Sequence, residues 1–166
     1  MGASGWRYFV PYQSDIKKAL NDLREQVFQS GKYYKREPFW QHTYESEYDD
    51  APDEDVRQDL LEWLRTMKAM KEPTTIEELF LWNGEDGTHS ILDINDVSDM
   101  PDFGTISPLS QEELMLYFGT HEPTKAMVEQ KAIEIMQLRK SWQGTYVIVY
   151  KDRLPYEIFI TGFSGD

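Results

Sequence analysis

Apolar residues recur at helical intervals in several stretches of the chain. Ile16, Leu20, Leu23 and Val27 are spaced by four, three and four, one stripe of a helix, with Ser14 placed to cap its start and Gly31 to end it. Asp53 opens a second such pattern, in which Val56, Leu60, Trp63, Leu64 and Met67 follow the stripe to about Met70, before Pro73. Thr74 and Thr75, followed by Glu77 and Glu78, offer a capping box in either of two registers and predict a short helix through about Trp82, closed near Gly84. Ser110 and Glu113 form another capping box, whose helix over Leu114 to Phe118 stops at Gly119. A longer helix is expected from about Thr124 to Trp142, with Val128, Ala132, Ile135 and Trp142 on one face.

Other stretches read as strands. WRYFVPY (6–12) is aromatic and β-branched, and Pro11 marks it as an edge or an exit. Thr88 to Ile94 is expected to be a strand, with a further short one around Thr105 to Ser107. TYVIVY (145–150) and YEIFITGF (156–163) flank KDRLP, the plainest hairpin signal in the sequence. Val147, Ile148, Val149 and Ile158, Phe159, Ile160 are apolar without alternation, which predicts a hairpin covered on both faces. The expected fold class is α+β: one domain over 1–166, with a mostly antiparallel sheet built on the C-terminal β-hairpin. About four to five helices pack it, chiefly those at 14–31, 53–70 and 124–142. No repeat, low-complexity linker or composition break divides the chain.

Composition narrows the chemistry. A chain of 166 residues can support a real core, since a domain of roughly 150 residues buries about 68–70% of the surface its unfolded chain exposes. Five Trp, ten Tyr and eight Phe argue against disorder. With no cysteine, disulfides, thiolate nucleophiles and sulfur-ligated metals are excluded. No signal-like or membrane-length apolar run is present and the Met1-Gly2 start has Trp6 where myristoylation wants Ser or Thr, so a cytoplasmic location is expected. Seventeen Lys and Arg against thirty Asp and Glu leave a formal charge of −13, which repels phosphate backbones and anionic bilayers and attracts a basic protein. The expected partner is therefore a basic protein, with no nucleic acid and no membrane. Nothing in the sequence sets the oligomeric state.

His89 stands just after Gly84 and Gly87, at the mouth of an apolar run. A general base needs an orienting carboxylate within hydrogen-bond reach. In a strand Asp93 would share its face but lie about 13 Å along it, at 3.3 Å per residue, so no dyad is visible. His89 is thus a weak catalytic candidate, in a stretch where Thr88, His89 and Ser90 have the make-up of a ligand-contacting loop. Asp93, Asp96, Asp99 and Asp102 are spaced by threes, but Val97 and Met100 fall where a calcium loop of the EF-hand type needs oxygen ligands. Asp93, Asp96 and Asp99 are at most weak metal candidates. His42 beside Glu45 and Glu47, and His121 beside Glu122, form no zinc pattern, since Lys125 occupies the last position of a would-be HExxH. GFSGD lacks the closing glycine and following helix of a nucleophile elbow, and no phosphate-binding glycine motif occurs. No cofactor is expected.

The least bland signal is a mixture of aromatics and carboxylates. Residues 43–59 hold eight Asp and Glu, with Trp40, Tyr44 and Tyr48 just before or among them. Interfaces use Tyr and Trp as rigid anchors and charge for steering. Trp40, Tyr44, Glu45, Glu47, Tyr48, Asp49 and Asp50 are accordingly the candidate partner-binding residues. The expected function is an acidic, non-catalytic interaction protein, immunity- or inhibitor-like, that plugs the positive cleft of a basic partner. The alternative is a small-molecule-binding domain or cofactor-free enzyme with its pocket beside Thr88, His89 and Ser90.

Overall fold

The computed structural model describes residues 4–37, 53–69 and 71–165. These divide into two compact units, Met1–Tyr34 with Gly84–Asp166, and Lys35–Asn83. In the first unit, β1 (Gly5–Pro11) leads into α1 (Ile16–Ser30). In the second lie α2 (Glu54–Ala69) and α3 (Ile76–Asn83). The first unit then resumes with β2 (Asp96–Val97), β3 (Thr105–Pro108), α4 (Gln111–Phe118), α5 (Lys125–Met136), β4 (Gln143–Lys151) and β5 (Leu154–Phe163).

The sheet has five strands in the order β1-β5-β4-β3-β2. β5 runs antiparallel to both β1 and β4, whereas β3 is parallel to β4 and β2 parallel to β3. The fold is α+β as expected, but the sheet is mixed rather than mostly antiparallel. The reason is the connection: α4 and α5 carry the chain from the end of β3 back to the start of β4, and such a crossover sets two neighbouring strands in the same direction. β1 lies at an edge, which accommodates Pro11 at its end.

The C-terminal hairpin is central, as its unbroken apolar run predicts, and Ile158, Phe159 and Ile160 are fully buried. On one face Val147, Val149 and Phe159 pack with Phe118 of α4 and with Val128, Ala132 and Ile135 of α5. The hairpin turns through Asp152 and Arg153, which both have left-handed backbones (φ 53° and 64°). A two-residue turn with positive φ at both positions suits the twist of the strands but favours glycine at the second. Arg153→Gly is therefore expected to stabilise the fold by about 1 kcal/mol, a rise in Tm of roughly 2–4 °C by thermal melting.

α1 carries the predicted stripe, with Leu20, Leu23 and Val27 buried beside Ala19. Gly31 ends it with φ 66°, the left-handed geometry that Gly supplies without a Cβ clash. The cap is Asp15 and not Ser14: the Asp15 carboxylate accepts from Lys18 N at 2.9 Å. α4 carries its predicted capping box and stops at Gly119. α5 is shorter than expected. It ends at Met136, and Trp142, with φ 64°, lies in a turn beyond it.

The expected strand over Thr88 to Ile94 does not form. Gly87 and His89 take left-handed backbones (φ 66° and 54°), which break an extended run. Ser90 then caps a single 3-10 turn, Ile91–Asp93, through a bond from Leu92 N. Ile91, Leu92 and Ile94 are all fully buried, so burial does not alternate and the β-branched composition reports a core turn that packs on α1.

In the second unit, Asp53 caps α2 as expected, accepting from Val56 N at 2.9 Å. Val56 is nonetheless exposed and Leu60 half-buried; the side chains of Trp63, Leu64 and Met67, the rest of the expected stripe, are not among those the structure describes. Glu78 accepts from both the N–H and the hydroxyl of Thr74, while Thr75 Oγ1 accepts from Glu78 N, so both predicted capping registers contribute at the start of α3. At its end Trp82 Nε1 donates to Arg36 O at 2.8 Å, and the buried Asn83 side chain accepts from Arg36 N at 3.0 Å.

Candidate functional site

Two places in the first unit bring polar side chains together. The first is the 87–93 turn. Asp93 is 2% exposed, and its Oδ1 accepts from Thr88 N at 2.7 Å and from Thr88 Oγ1 at 2.8 Å. Thr88 Oγ1 and Ser90 Oγ lie 2.9 Å apart, both buried. The carboxylate that a strand would have carried far along the chain thus folds back onto the residues beside His89. Its other oxygen, Oδ2, is buried and has no hydrogen-bond partner among the described residues. The His89 ring stacks on Tyr34, with centroids 4.6 Å apart and planes 14° from parallel, and Tyr34 N donates to Thr88 O at 2.7 Å. Beneath the turn, burial holds the Tyr8 phenol above its usual pKa; the Ile91 N–H that bonds to it pulls the other way, and the Asp93 charge adds to the rise. Hydroxyls committed to one another hold the loop.

The second is a groove of about 480 Å³ between the 99–101 segment, Pro108 and α4, with Arg139 in its wall. Ser110 Oγ accepts from Glu113 N at 3.1 Å and Glu113 Oε2 accepts from Ser110 N at 2.7 Å, which fixes the first turn of α4. Glu113 Oε1 accepts from Arg139 Nη1 at 3.2 Å, and Arg139 Nη2 donates to Thr145 Oγ1, which donates to Ser107 O at 2.8 Å. The Arg139 side chain is only 5% exposed. Burial pushes the Glu113 carboxyl up, but the bonds from Arg139 and from Ser110 N and the nearby guanidinium outweigh it, so it sits below the usual carboxylate range. Glu113 is a fixed part of the wall.

Asp99 and Glu112, also lining the groove, are exposed and make no ion pair among the described residues. With Glu113 and Arg139 counted, three carboxylates face one guanidinium, leaving two negative charges. Met100 and Leu116, 73% and 77% exposed, supply the apolar rim. A smaller groove of about 160 Å³ shares Pro108 and adds Tyr146, Tyr150 and His121. Tyr146 titrates above its usual range, first through burial and then through the charge of Asp99.

The predicted partner-binding residues Trp40, Tyr44, Glu45, Glu47, Tyr48, Asp49 and Asp50 lie outside the described residues. The weak metal candidates are dispersed in role: Asp93 is tied to Thr88, Asp96 pairs with Lys17 at 2.7 Å, and Asp99 lines the groove. Among the described residues no group of three or more His, Cys, Asp or Glu could hold a metal ion, and no helix is long and apolar enough to cross a membrane. Sequence reasoning missed the groove because Met100, Glu112, Leu116 and Arg139 come from three separate segments. The capping box that orients Glu113 was its only local trace. Against protein-family models, characterised proteins and solved structures the chain returns no match.

Proposed function

We propose that this chain is an acidic, non-catalytic interaction protein that captures a basic protein, as an immunity protein or inhibitor covers a positive cleft. The formal charge of −13 carries the reading, because a field of that size speeds encounter with a basic partner and discourages anionic ones. The groove beside α4 supports it, since exposed carboxylates there adjoin exposed apolar side chains, the two ingredients of a protein-binding face. The small-molecule or enzyme reading at Thr88, His89 and Ser90 draws less support. The two buried hydroxyls are committed to each other and to Asp93.

Affinity capture at low salt, followed by kinetics on the captured partner, tests the proposal. The expected partner is strongly basic, with an association rate that falls steeply as ionic strength rises. Changing Glu45, Glu47, Asp49 and Asp50 together to serine is expected to preserve the fold, at about 0.5 kcal/mol or less per site, and to slow that association. A partner that is neutral or acidic, bound at a rate indifferent to salt, would overturn the reading.

A further inference from the structure

We infer that the groove beside α4 seats an extended basic segment of the partner, an arginine or lysine laying its apolar stem along Met100 and Leu116 and its charged head toward Asp99 and Glu112. The inference rests on the reading above and gives it a place on the molecule. Single exposed apolar residues are ordinary on a protein surface. Here two of the most exposed ones line the same groove, so an occupant would bury both at once.

Charge selects the occupant. Glu113 is held by Arg139 and the α4 cap, so the charges left to meet a ligand are those of Asp99 and Glu112. An apolar ligand would strip water from these carboxylates and return nothing, and an anionic one would meet like charge. The positive end of α4 opens on the same groove, but Glu112 and Glu113 in its first turn offset it. A long basic side chain satisfies both the apolar rim and the carboxylates, because its stem covers hydrocarbon while its head keeps polar company. The volume of about 480 Å³ falls within the roughly 300–1,000 Å³ of ligand sites, room for a short run of chain.

The test is titration of the full chain, with methyl groups of Met and Leu isotopically labelled, by the peptide acetyl-Ala-Arg-Leu-Arg-Ala-amide at low salt. A matched peptide with Glu in place of both Arg is the control. The Met100 and Leu116 methyl resonances are expected to move with the basic peptide and stay in place with the acidic one. In the double variant Asp99→Asn with Glu112→Gln, both sites being exposed, the fold should survive with Tm lowered by no more than about 4 °C, the loss of Glu112 from the first turn of α4, and the peptide affinity should be about fivefold weaker, the worth of two exposed ion pairs. Unmoved groove methyls, or an affinity unchanged in the double variant, would overturn the seat. Peptide binding elsewhere on the surface does so while leaving the acidic-capture reading standing; that reading falls only if the captured partner proves not to be basic.

Discussion

Gly162→Ala is expected to destabilise the protein by about 3 kcal/mol, at the upper end of ordinary overpacking costs, and to lower Tm by roughly 6–12 °C. The reason is a row of residues in register across the sheet: Trp6 on β1, Gly162 on β5, Gly144 on β4 and Ile106 on β3. The two glycines leave a trough in which the buried Trp6 indole lies, an arrangement in which an aromatic ring covers strand positions that lack side chains. A Cβ at Gly162 would stand 2.5 Å from Gln143 O and 2.7 Å from the Trp6 ring. β5 is hydrogen-bonded on both sides, so neither the carbonyl nor the strand can retreat without losing ladder bonds. In a Trp6→Ala background the same change should cost less, since one of the two obstacles has gone. Urea unfolding of the four proteins of this cycle checks it. A Gly162→Ala penalty below about 0.5 kcal/mol, the scatter of ordinary surface changes, would show that the ring does not rest there.

Asp93→Ala should cost a similar amount, about 3 kcal/mol, for a different reason. It removes the acceptor of two buried hydrogen bonds and leaves Thr88 N–H without a partner, a desolvation cost of about 1–3 kcal/mol for that group alone, with the second bond lost besides. Asp93→Asn keeps an oxygen facing Thr88 and should cost less than the alanine. The Tyr8 phenol supplies a second readout. Because the Asp93 charge raises its pKa, either substitution should bring the ultraviolet titration of Tyr8 to lower pH. A Tyr8 titration unmoved by both substitutions would mean that the carboxylate and phenol are not coupled.

Where a local rule decides structure, the sequence was readable. The α1 stripe, the α4 capping box and the C-terminal hairpin each depend on neighbours a few residues apart, and each forms as expected. The failures have longer-range causes. Ser14 and Asp15 are both good caps, and which of them meets Lys18 N depends on how the chain arrives from β1. Thr88 to Ile94 has a strand's composition, yet Asp93 closes on Thr88 and the apolar residues are buried without alternation, a pattern set by packing on α1. Trp142 continues the helical count of α5, but its indole packs against Gly87 and Gly165, where an added Cβ would overlap it. The parallel pairing of β3 with β4 has no signature in either strand, because direction follows from the helices between them. The groove is a tertiary product, visible only once α4 is set against the 99–101 segment and Arg139 turns in behind Glu113.

The margins of the sheet bear on the fate of the protein at high concentration. One outer strand finishes in a proline, which has no N–H to offer a neighbour, and the other is two residues long, with Asp96 ion-paired to Lys17. A second molecule arriving alongside the short strand would find almost no backbone to pair with, and along the other strand its pairing would have to stop at the proline. Strand-by-strand growth into fibrils is thereby hindered at the short margin, even though the central hairpin, Val147–Val149 against Ile158–Ile160, has the composition from which such fibrils are made.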